Sequence, residues 1–251
     1  MKDRVVIITG AGQGLGRAFA MHFAKLGAAV AIAEIMAFNG KRVAQEITNA
    51  GGRALFVETD VSSSTSVDSM VECVRNEFGK IHILVNNAGL LSSIRRCPVE
   101  EITDDEWDNL MQVNITGAFY CVRAIVPVMR EAGWGRIINM SSDTVLSPPG
   151  LTYAHYITSK AALVGLTRAL ARELGPDGIT VNAIMPGATE TEIDRGDTLR
   201  ELRSKHVVPR QCIPRQEKPD DLLGAVQFLA SSASNFITGQ TLPVNGGISF
   251  V

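Results

Sequence analysis

Thr9-Gly10-Ala11-Gly12-Gln13-Gly14-Leu15-Gly16 follows the apolar run Val5–Ile8 without a break and leads directly into a helical pattern over Gly14–Leu26. The position of these glycines matters more than their number. The N-terminus of a helix presents unpaired backbone N–H groups and a partial positive charge, and so suits a phosphate. Glycine lets the backbone turn tightly and come close to a pyrophosphate. The spacing is G-x-x-x-G-x-G, from Gly10 through Gly14 to Gly16, rather than G-x-G-x-x-G. The strand–turn–helix setting separates it from an ordinary glycine-rich loop, and Gly10, Gln13, Gly14, Leu15 and Gly16 form a candidate phosphate cradle.

The same alternation continues along the chain. Ala29–Ala33, Ala54–Val57, Ile81–Val85, Ile137–Met140, Thr180–Ile184 and Thr241–Val244 read as further strands. Most are apolar almost without interruption, as parallel strands buried on both faces are. Between them lie helical patterns over Asn39–Asn49, Ser64–Phe78, Ala154–Leu174 and Asp220–Ser231, with glycines closing several of them. Thr103 with Glu106 has the capping-box spacing and opens a helical region through Trp107 to Glu131, which Pro127 should kink or shorten. Strand, helix, strand, helix in this order predicts an α/β protein. The expected fold is one Rossmann-like, doubly wound domain over residues 1–251, with a seven-stranded parallel sheet between two layers of helices. Thr191–Gln211 stands apart: rich in charges of both signs, it reads as a solvated loop or as a lid over a ligand.

Composition removes several function classes. Apolar residues make up 45% and charged residues 20%, so the chain can bury a core and is not of disordered type. Net charge is −2 with both signs interspersed, and no basic stripe predicts nucleic-acid binding. The apolar start is too short for a signal peptide and no stretch reaches membrane-spanning length, so neither membrane insertion nor export is expected and the cytoplasm is the expected compartment. Cys73, Cys97, Cys121 and Cys212 are scattered and read as reduced thiols that mostly pack as small apolar groups; the four histidines lack metal-ligand spacing, and no metal is expected.

Two further features carry chemistry. Glu34 ends the second strand eighteen residues past Gly16, where a carboxylate can accept hydrogen bonds from adenosine ribose hydroxyls and would repel a 2′-phosphate. The following Ile35 and Met36 offer no cation to hold such a phosphate. Arg17, which follows the glycine turn, is the main residue that argues otherwise, and it is expected on the helix surface. These residues favour NAD over NADP. Tyr156-Ile157-Thr158-Ser159-Lys160 is Y-x-x-x-K on a long helix, and residues four apart share one helical face. A phenol titrates near pKa ~10 and is a poor base at neutral pH. A nearby ammonium, and a cationic nicotinamide ring, favour phenolate. Lowering that pKa by about three units requires roughly 4 kcal/mol. The pair alone is a weak signal, because chance produces it often.

Taken together, the motifs resemble the short-chain dehydrogenase/reductase family almost end to end. The resemblance is carried by Thr9-Gly10-x-x-x-Gly14-x-Gly16, Asp60-Val61, Asn86-Asn87-Ala88-Gly89, Asn114, Ile138-Asn139-Met140-Ser141-Ser142, Tyr156-x-x-x-Lys160, Pro186-Gly187 and Gly239 to Gly247. It implies a role for each position. Ser142 would hydrogen-bond the substrate oxygen, Tyr156 would exchange a proton with it, and Lys160 would lower the tyrosine pKa and hold the nicotinamide ribose. Asn114 would position a water that links Lys160 to solvent. Asp60 and Val61 would flank adenine, Asn87, Ala88 and Gly89 would line the cofactor, and Pro186, Gly187, Thr189 and Thr191 would lie against the nicotinamide. Ser142 lies fourteen residues before Tyr156 where the family usually has thirteen, which one residue added in the Pro148-Pro149-Gly150 loop explains. Ser141 is the alternative, with its side chain on the other side of an extended strand. Gly12 replaces a small polar residue common in the family.

The resemblance implies an enzyme that interconverts a secondary alcohol and a ketone with NAD, acting on a small molecule and assembled as a homotetramer through the helices at Trp107–Glu131 and Ala154–Leu174. The substrate walls are expected in Leu90–Arg96, Asp143–Tyr153 and the 191–211 segment. Leu91, Ile94, Val145, Leu146, Leu151 and Tyr153 suggest an apolar pocket for an aryl or alkyl ketone. Gly133 to Asn139 and Tyr153 to Tyr156 look like members that oxidise 1-phenylethanol-type alcohols. His155 is rotated about 100° from Tyr156 and stays outside the catalytic set. A 3-oxoacyl-thioester reductase is the alternative within the same chemistry, with Arg95-Arg96 as the one basic cluster for an acidic carrier. A dinucleotide-binding sensor or scaffold without turnover is the alternative of another class.

Overall fold

A computed structural model describes residues 1–91, 94–149, 153–193 and 196–251. Seven strands form one parallel sheet: β1 (Val5–Thr9), β2 (Ala29–Glu34), β3 (Arg53–Glu58), β4 (Ile83–Asn86), β5 (Gly135–Met140), β6 (Ile179–Pro186) and β7 (Thr241–Val244). Their order across the sheet is β3-β2-β1-β4-β5-β6-β7. The chain winds outward from β1 to β3, then returns to the other side of β1 with β4. This reversal opens a crevice beyond the carboxyl ends of β1 and β4, where open α/β sheets hold ligands.

The unbroken apolar runs are explained by burial on both faces. Alternate residues of β1 enter opposite cores. Val5 and Ile7 pack in a layer with Val67, Met70, Ile125, Met129 and Leu174, from α3 (Ser64–Phe78), α5 (Gly117–Ala132) and α6 (Ala154–Leu174). Val6 and Ile8 pack with Phe19, Phe23, Val43, Ile47, Leu222 and Val226, from α1 (Gly14–Lys25), α2 (Ala37–Asn49) and α8 (Asp220–Ala230).

Some expectations are corrected in detail. The fourth strand starts at Ile83 rather than Ile81, because the His82 imidazole accepts the Val5 N–H through Nδ1 at 3.0 Å just before the ladder begins. The helical region after Thr103 is not continuous: α4 (Asp104–Met111) and α5 are joined by a π-helical turn, Gln112–Thr116. Pro127 does not shorten α5, which continues to Ala132 and stops at Gly133 in the left-handed region. The 191–211 segment holds α7 (Asp197–His206). The capping box is present as expected: Thr103 Oγ1 accepts from the Glu106 N–H at 3.2 Å, and Glu106 Oε2 accepts from the Thr103 N–H at 3.0 Å. Of the thiols, Cys97 and Cys121 are buried whereas Cys73 and Cys212 are exposed, so only half of them pack as apolar groups.

Candidate active site

The glycine turn sits at the crevice. Gly10 has φ +62°, and a Cβ there would stand 2.9 Å from the Ala88 Cα. A Cβ on Gly16 would collide with the Gly10 carbonyl oxygen and stand 2.6 Å from Asn87 Nδ2. The turn and the end of β4 are latched together. Asn87 Nδ2 donates to the carbonyls of Thr9 (2.9 Å) and Gly10 (3.1 Å), while Thr9 Oγ1 accepts the N–H groups of Asn87 and Ala88, both at 3.0 Å. Gln13 precedes α1 without a side-chain cap, and no acidic residue lies in the first turn of that helix, so Leu15 and its neighbours in that turn meet no acid of their own helix. The turn therefore fits a dinucleotide phosphate: the backbone can be approached closely, and a helix dipole points at it. An anion already occupies part of it, since the Gly14 N–H donates to Glu192 Oε1 at 3.0 Å.

Glu34 is buried at the end of β2. Its Oε2 accepts the Gly12 N–H at 2.9 Å and its Oε1 accepts the Met36 N–H at 3.0 Å. Ile35 beside it is exposed. Arg17 is held by Glu46, with Nη2–Oε2 at 2.7 Å, and so is committed to α2 rather than to the crevice. Arg42, which the motifs did not single out, donates to the Gly12 carbonyl at 3.2 Å. Asp60 Oδ1 accepts from the Ser62 backbone N–H (2.9 Å) and hydroxyl (2.6 Å), fixing the loop after β3, and Val61 packs closely against Gly117.

The Tyr156–Lys160 helix meets the ends of β4 and β5. Lys160 is buried, its Nζ donates to the Met140 carbonyl at 2.8 Å, and it lies 5.7 Å from the Tyr156 ring centroid. Burial pushes the ammonium down to about 8. Ser141 Oγ donates to the Lys160 carbonyl at 2.8 Å, so Ser141 is committed to the α6 backbone. Ser142, the next residue, is nearly buried, and its Oγ accepts from the Thr144 hydroxyl at 2.9 Å. Asn114 is in the π-helical turn, where π bulges often coincide with function. Its Oδ1 accepts the Leu90 N–H at 2.8 Å, and its Nδ2 donates to Ser159 Oγ at 3.0 Å. Gly89 lies between Asn114 and Lys160: a Cβ there would be 3.2 Å from Asn114 Oδ1 and 3.4 Å from Lys160 Nζ.

β6 ends at Pro186, and the chain runs on through Gly187 and Thr189. This loop rests on the segment that leads into α8. Thr189 Oγ1 donates to Glu217 Oε1 at 2.6 Å, the Gly187 N–H reaches Glu217 Oε2 at 3.1 Å, and Gln216 Nε2 donates to the Ala188 carbonyl. Burial pushes the Glu217 carboxyl up to about 7, helped by the charges of Asp143 and Asp221 and opposed by the Thr189 and Gly187 hydrogen bonds. Asp143, directly after Ser142, is likewise pushed up to about 6 by burial, against the pull of its hydrogen bonds and of Arg210.

The 191–211 segment reaches both halves of the crevice. Thr191 Oγ1 accepts the Ile193 N–H at 3.4 Å, and Ile193 packs against Gly14. Arg203 of α7 donates to the Thr189 carbonyl at 3.1 Å, and Arg210 donates to Ser147 Oγ at 3.3 Å. On the substrate side, Tyr153 and Tyr156 have ring centroids 6.0 Å apart, and the Arg96 guanidinium stacks 4.9 Å from the Tyr153 centroid. Leu91, Ile94, Val145 and Leu146 are half-buried; Gly150 and Leu151 lie outside the described residues. Buried His155 has its Nδ1 unpartnered among the described residues, and burial lowers its pKa.

A family model described as enoyl-(acyl carrier protein) reductase matches residues 10–249. The chain is 39% identical over 249 residues to the (2S)-[(R)-hydroxy(phenyl)methyl]succinyl-CoA dehydrogenase subunit BbsD of Thauera aromatica, covering 99% of this chain and 98% of that one. Its fold matches a putative short-chain alcohol dehydrogenase from Sinorhizobium meliloti with TM-score 0.92 and 32% identity, covering 100% and 98% of the two chains. The chain belongs to the short-chain dehydrogenase/reductase family. A 3-ketoacyl-(acyl-carrier-protein) reductase from Brucella melitensis, solved with NADH, also matches this short-chain dehydrogenase/reductase with TM-score 0.89 and 36% identity over 99% of each chain.

As an oxidoreductase of this family, the protein has a nicotinamide dinucleotide as its cofactor. Several residues that shape this short-chain dehydrogenase/reductase site escaped the sequence reading. Ser159 ties Asn114 to the α6 backbone, because its Oγ also donates to the Tyr156 carbonyl at 2.7 Å. Its place inside Y-x-x-x-K was the available signal. Asp143, named only as the start of a substrate wall, adjoins Ser142 and carries a buried carboxyl that the sequence does not announce. Glu192 and Glu217 had no signal of their own, since each sits in a charged stretch that reads as solvated surface.

Proposed function

We propose that the protein oxidises a hydrophobic secondary alcohol, of aryl type, to the ketone with NAD, and runs the reverse reduction by the same groups. The observation that carries this reading is the buried Lys160 ammonium beside the Tyr156 ring, with Ser142 at the adjoining strand end. The Ser142 hydroxyl would donate to the substrate oxygen and steady the charge that develops on it. Tyr156, as phenolate, would take the alcohol O–H proton, and would return it in reduction. Lys160, held on the Met140 carbonyl, would keep that phenolate within reach of neutral pH. Asn114, through Leu90 and Ser159, would hold the strand end and α6 in register around Lys160. The cofactor, when bound, supplies the acceptor for the hydride that leaves the carbinol carbon. Gly10, Gly14, Gly16 and Asn87 would form its phosphate side, and Pro186, Gly187, Thr189 and Thr191 its nicotinamide side.

The preference for NAD over NADP rests on Glu34, whose buried carboxylate would meet a 2′-phosphate, and on Arg17 being spoken for by Glu46. The aryl secondary alcohol is supported by the Thauera relative, whose named substrate carries a hydroxy(phenyl)methyl group. A second reading, 3-oxoacyl-thioester reduction, is favoured by the likeness to the Brucella reductase. Against it, Arg95 is held by Glu101 and Glu106, which leaves Arg96 alone of the cluster expected to meet an acidic carrier. Exposed Trp107 and Phe119 on α4 and α5 support assembly as a homotetramer, which sedimentation would test. Exposed free Cys73 and Cys212 suit the reducing cytoplasm. Among the described residues, no helix is long and apolar enough to cross a membrane.

The test is absorbance at the reduced-nicotinamide band across a panel of secondary alcohols, with NADP in parallel. Turnover of aryl alcohols with NAD is expected. Turnover of acyl-carrier thioesters alone would move the protein to the second reading.

A further inference from the structure

We propose that Glu217 is a positioning residue of the cofactor site: its buried carboxylate holds the Gly187–Thr189 turn and, when ionised, favours the oxidised cofactor over the reduced one. This rests on the cofactor reading above. The carboxylate lies one hydrogen bond behind the loop assigned to the nicotinamide side. Both of its oxygens are used, Oε1 by the Thr189 hydroxyl at 2.6 Å and Oε2 by the Gly187 N–H at 3.1 Å. The Glu217 carbonyl accepts the Glu190 N–H at 2.8 Å, so the loop is bound at three points to one residue. Such a residue sets where the loop stands, and its charge reaches whatever the loop touches.

The charge differs between the two cofactor states. An oxidised nicotinamide ring is cationic and a reduced ring is neutral. A carboxylate in a low-dielectric setting beneath the Gly187–Thr189 turn would therefore attract the first more than the second, if that turn holds the ring. The surroundings leave Glu217 able to respond. Asp143 from the turn after β5 and Asp221 from α8 oppose its ionisation. Arg215, on its own segment, is engaged by Asp221 at 2.7 Å; Arg203 of α7 binds the Thr189 carbonyl, and Arg210 acts on Asp143. Thr189 offers the switch. Its hydroxyl donates to ionised Glu217, and also lies 3.4 Å from the Gly187 carbonyl. On protonation of Glu217 the hydroxyl can turn to that carbonyl and accept from the new carboxyl O–H. With the group near neutral pH, binding of the oxidised cofactor drives the carboxyl proton to solvent, and binding of the reduced cofactor leaves it in place.

The test is binding of NAD and NADH by calorimetry, without substrate, between pH 5.5 and 8.5. Both are measured in Tyr156→Phe, so that ionisation of Tyr156 does not contribute, and again in Tyr156→Phe with Glu217→Gln. In the first protein the preference for NAD should rise with pH, and NAD binding near pH 6.5 should release protons, seen as a heat that depends on the buffer. In the second the preference should fall roughly tenfold at pH 8, the scale of one buried charge at an effective dielectric of about 20, and should lose its pH dependence. Equal preferences in the two proteins, or no proton release on NAD binding, would overturn the assignment and leave the cofactor reading standing. Failure of Tyr156→Phe to bind either dinucleotide would overturn the cofactor reading itself. The proton-release measurement needs no substitution at Glu217, so its absence overturns the assignment even if Glu217→Gln does not fold, and its persistence in Tyr156→Phe with Asp143→Asn separates Glu217 from the other buried carboxyl near 6.

Discussion

The buried carboxylate of Glu217 makes a quantitative statement about stability. In the unfolded chain a glutamate titrates near 4.5, and in the fold this one is held up to about 7. Each pKa unit corresponds to about 1.36 kcal/mol, so ionising Glu217 in place costs on the order of 3 kcal/mol. The sign follows from proton counting. Between the two values the folded protein holds a proton that the unfolded chain has released. Stability from this group is therefore complete below about pH 4.5, declines as pH rises to about 7, and is absent above. Glu217→Gln cannot ionise. Its amide oxygen can accept the Gly187 N–H and its NH2 can donate to Thr189, as the protonated acid would. Wild type and variant should be nearly equal in stability at pH 5, and the variant should be about 2–3 kcal/mol more stable at pH 8. Urea unfolding followed by tryptophan fluorescence at pH 5, 6.5 and 8, with both proteins at the same protomer concentration, measures the difference. Because the charge of Asp143 acts on Glu217, the same pair is also compared with Asp143→Asn present in both proteins. A stability difference that does not change with pH would refute the reasoning.

Other outcomes follow from the same geometry. Glu192→Ala frees the Gly14 N–H from an internal carboxylate, and NAD should bind severalfold more tightly in titration calorimetry; unchanged or weaker binding would show that Glu192 does not compete with the cofactor. Gly16→Ala puts a methyl group into the Gly10 carbonyl and Asn87, so dinucleotide affinity should fall more than about tenfold. Wild-type affinity in a folded Gly16→Ala protein would contradict the packing described.

Much of this was legible beforehand, for reasons that can be stated. The strands announced themselves because parallel strands covered on both faces must be apolar at every position, as Val5 to Ile8 are. The glycine turn was legible because steric need at Gly10 and Gly16 leaves no other residue. Tyr156 and Lys160 stand at i, i+4 spacing, Ser142 and Asn114 are implied by the family resemblance, and the fold brings the elements that carry all four to one end of the sheet. The rest depends on tertiary contacts that leave no local trace. A π-helical turn adds one residue to a helical ladder without changing its composition. α7 was hidden by the charges of 191–211, which read as solvent-facing whichever way the backbone runs. Glu217 sits in Arg215–Asp221, a run that looks like exposed surface, and only the packing of the β6 loop against it buries the carboxylate. Pro127 leaves the length of α5 intact, because the packing of α5 on the sheet outweighs one lost backbone bond.

The most direct test of the account is Tyr156→Phe, measured for turnover and for NAD binding in the same preparation. Removing one hydroxyl should lower kcat with the best secondary alcohol by about 10²–10⁴-fold, the usual worth of a proton-transferring group, while the Kd for NAD stays within about threefold. Turnover that survives the loss of the hydroxyl, or a wild type that binds NAD and turns over nothing, would contradict it.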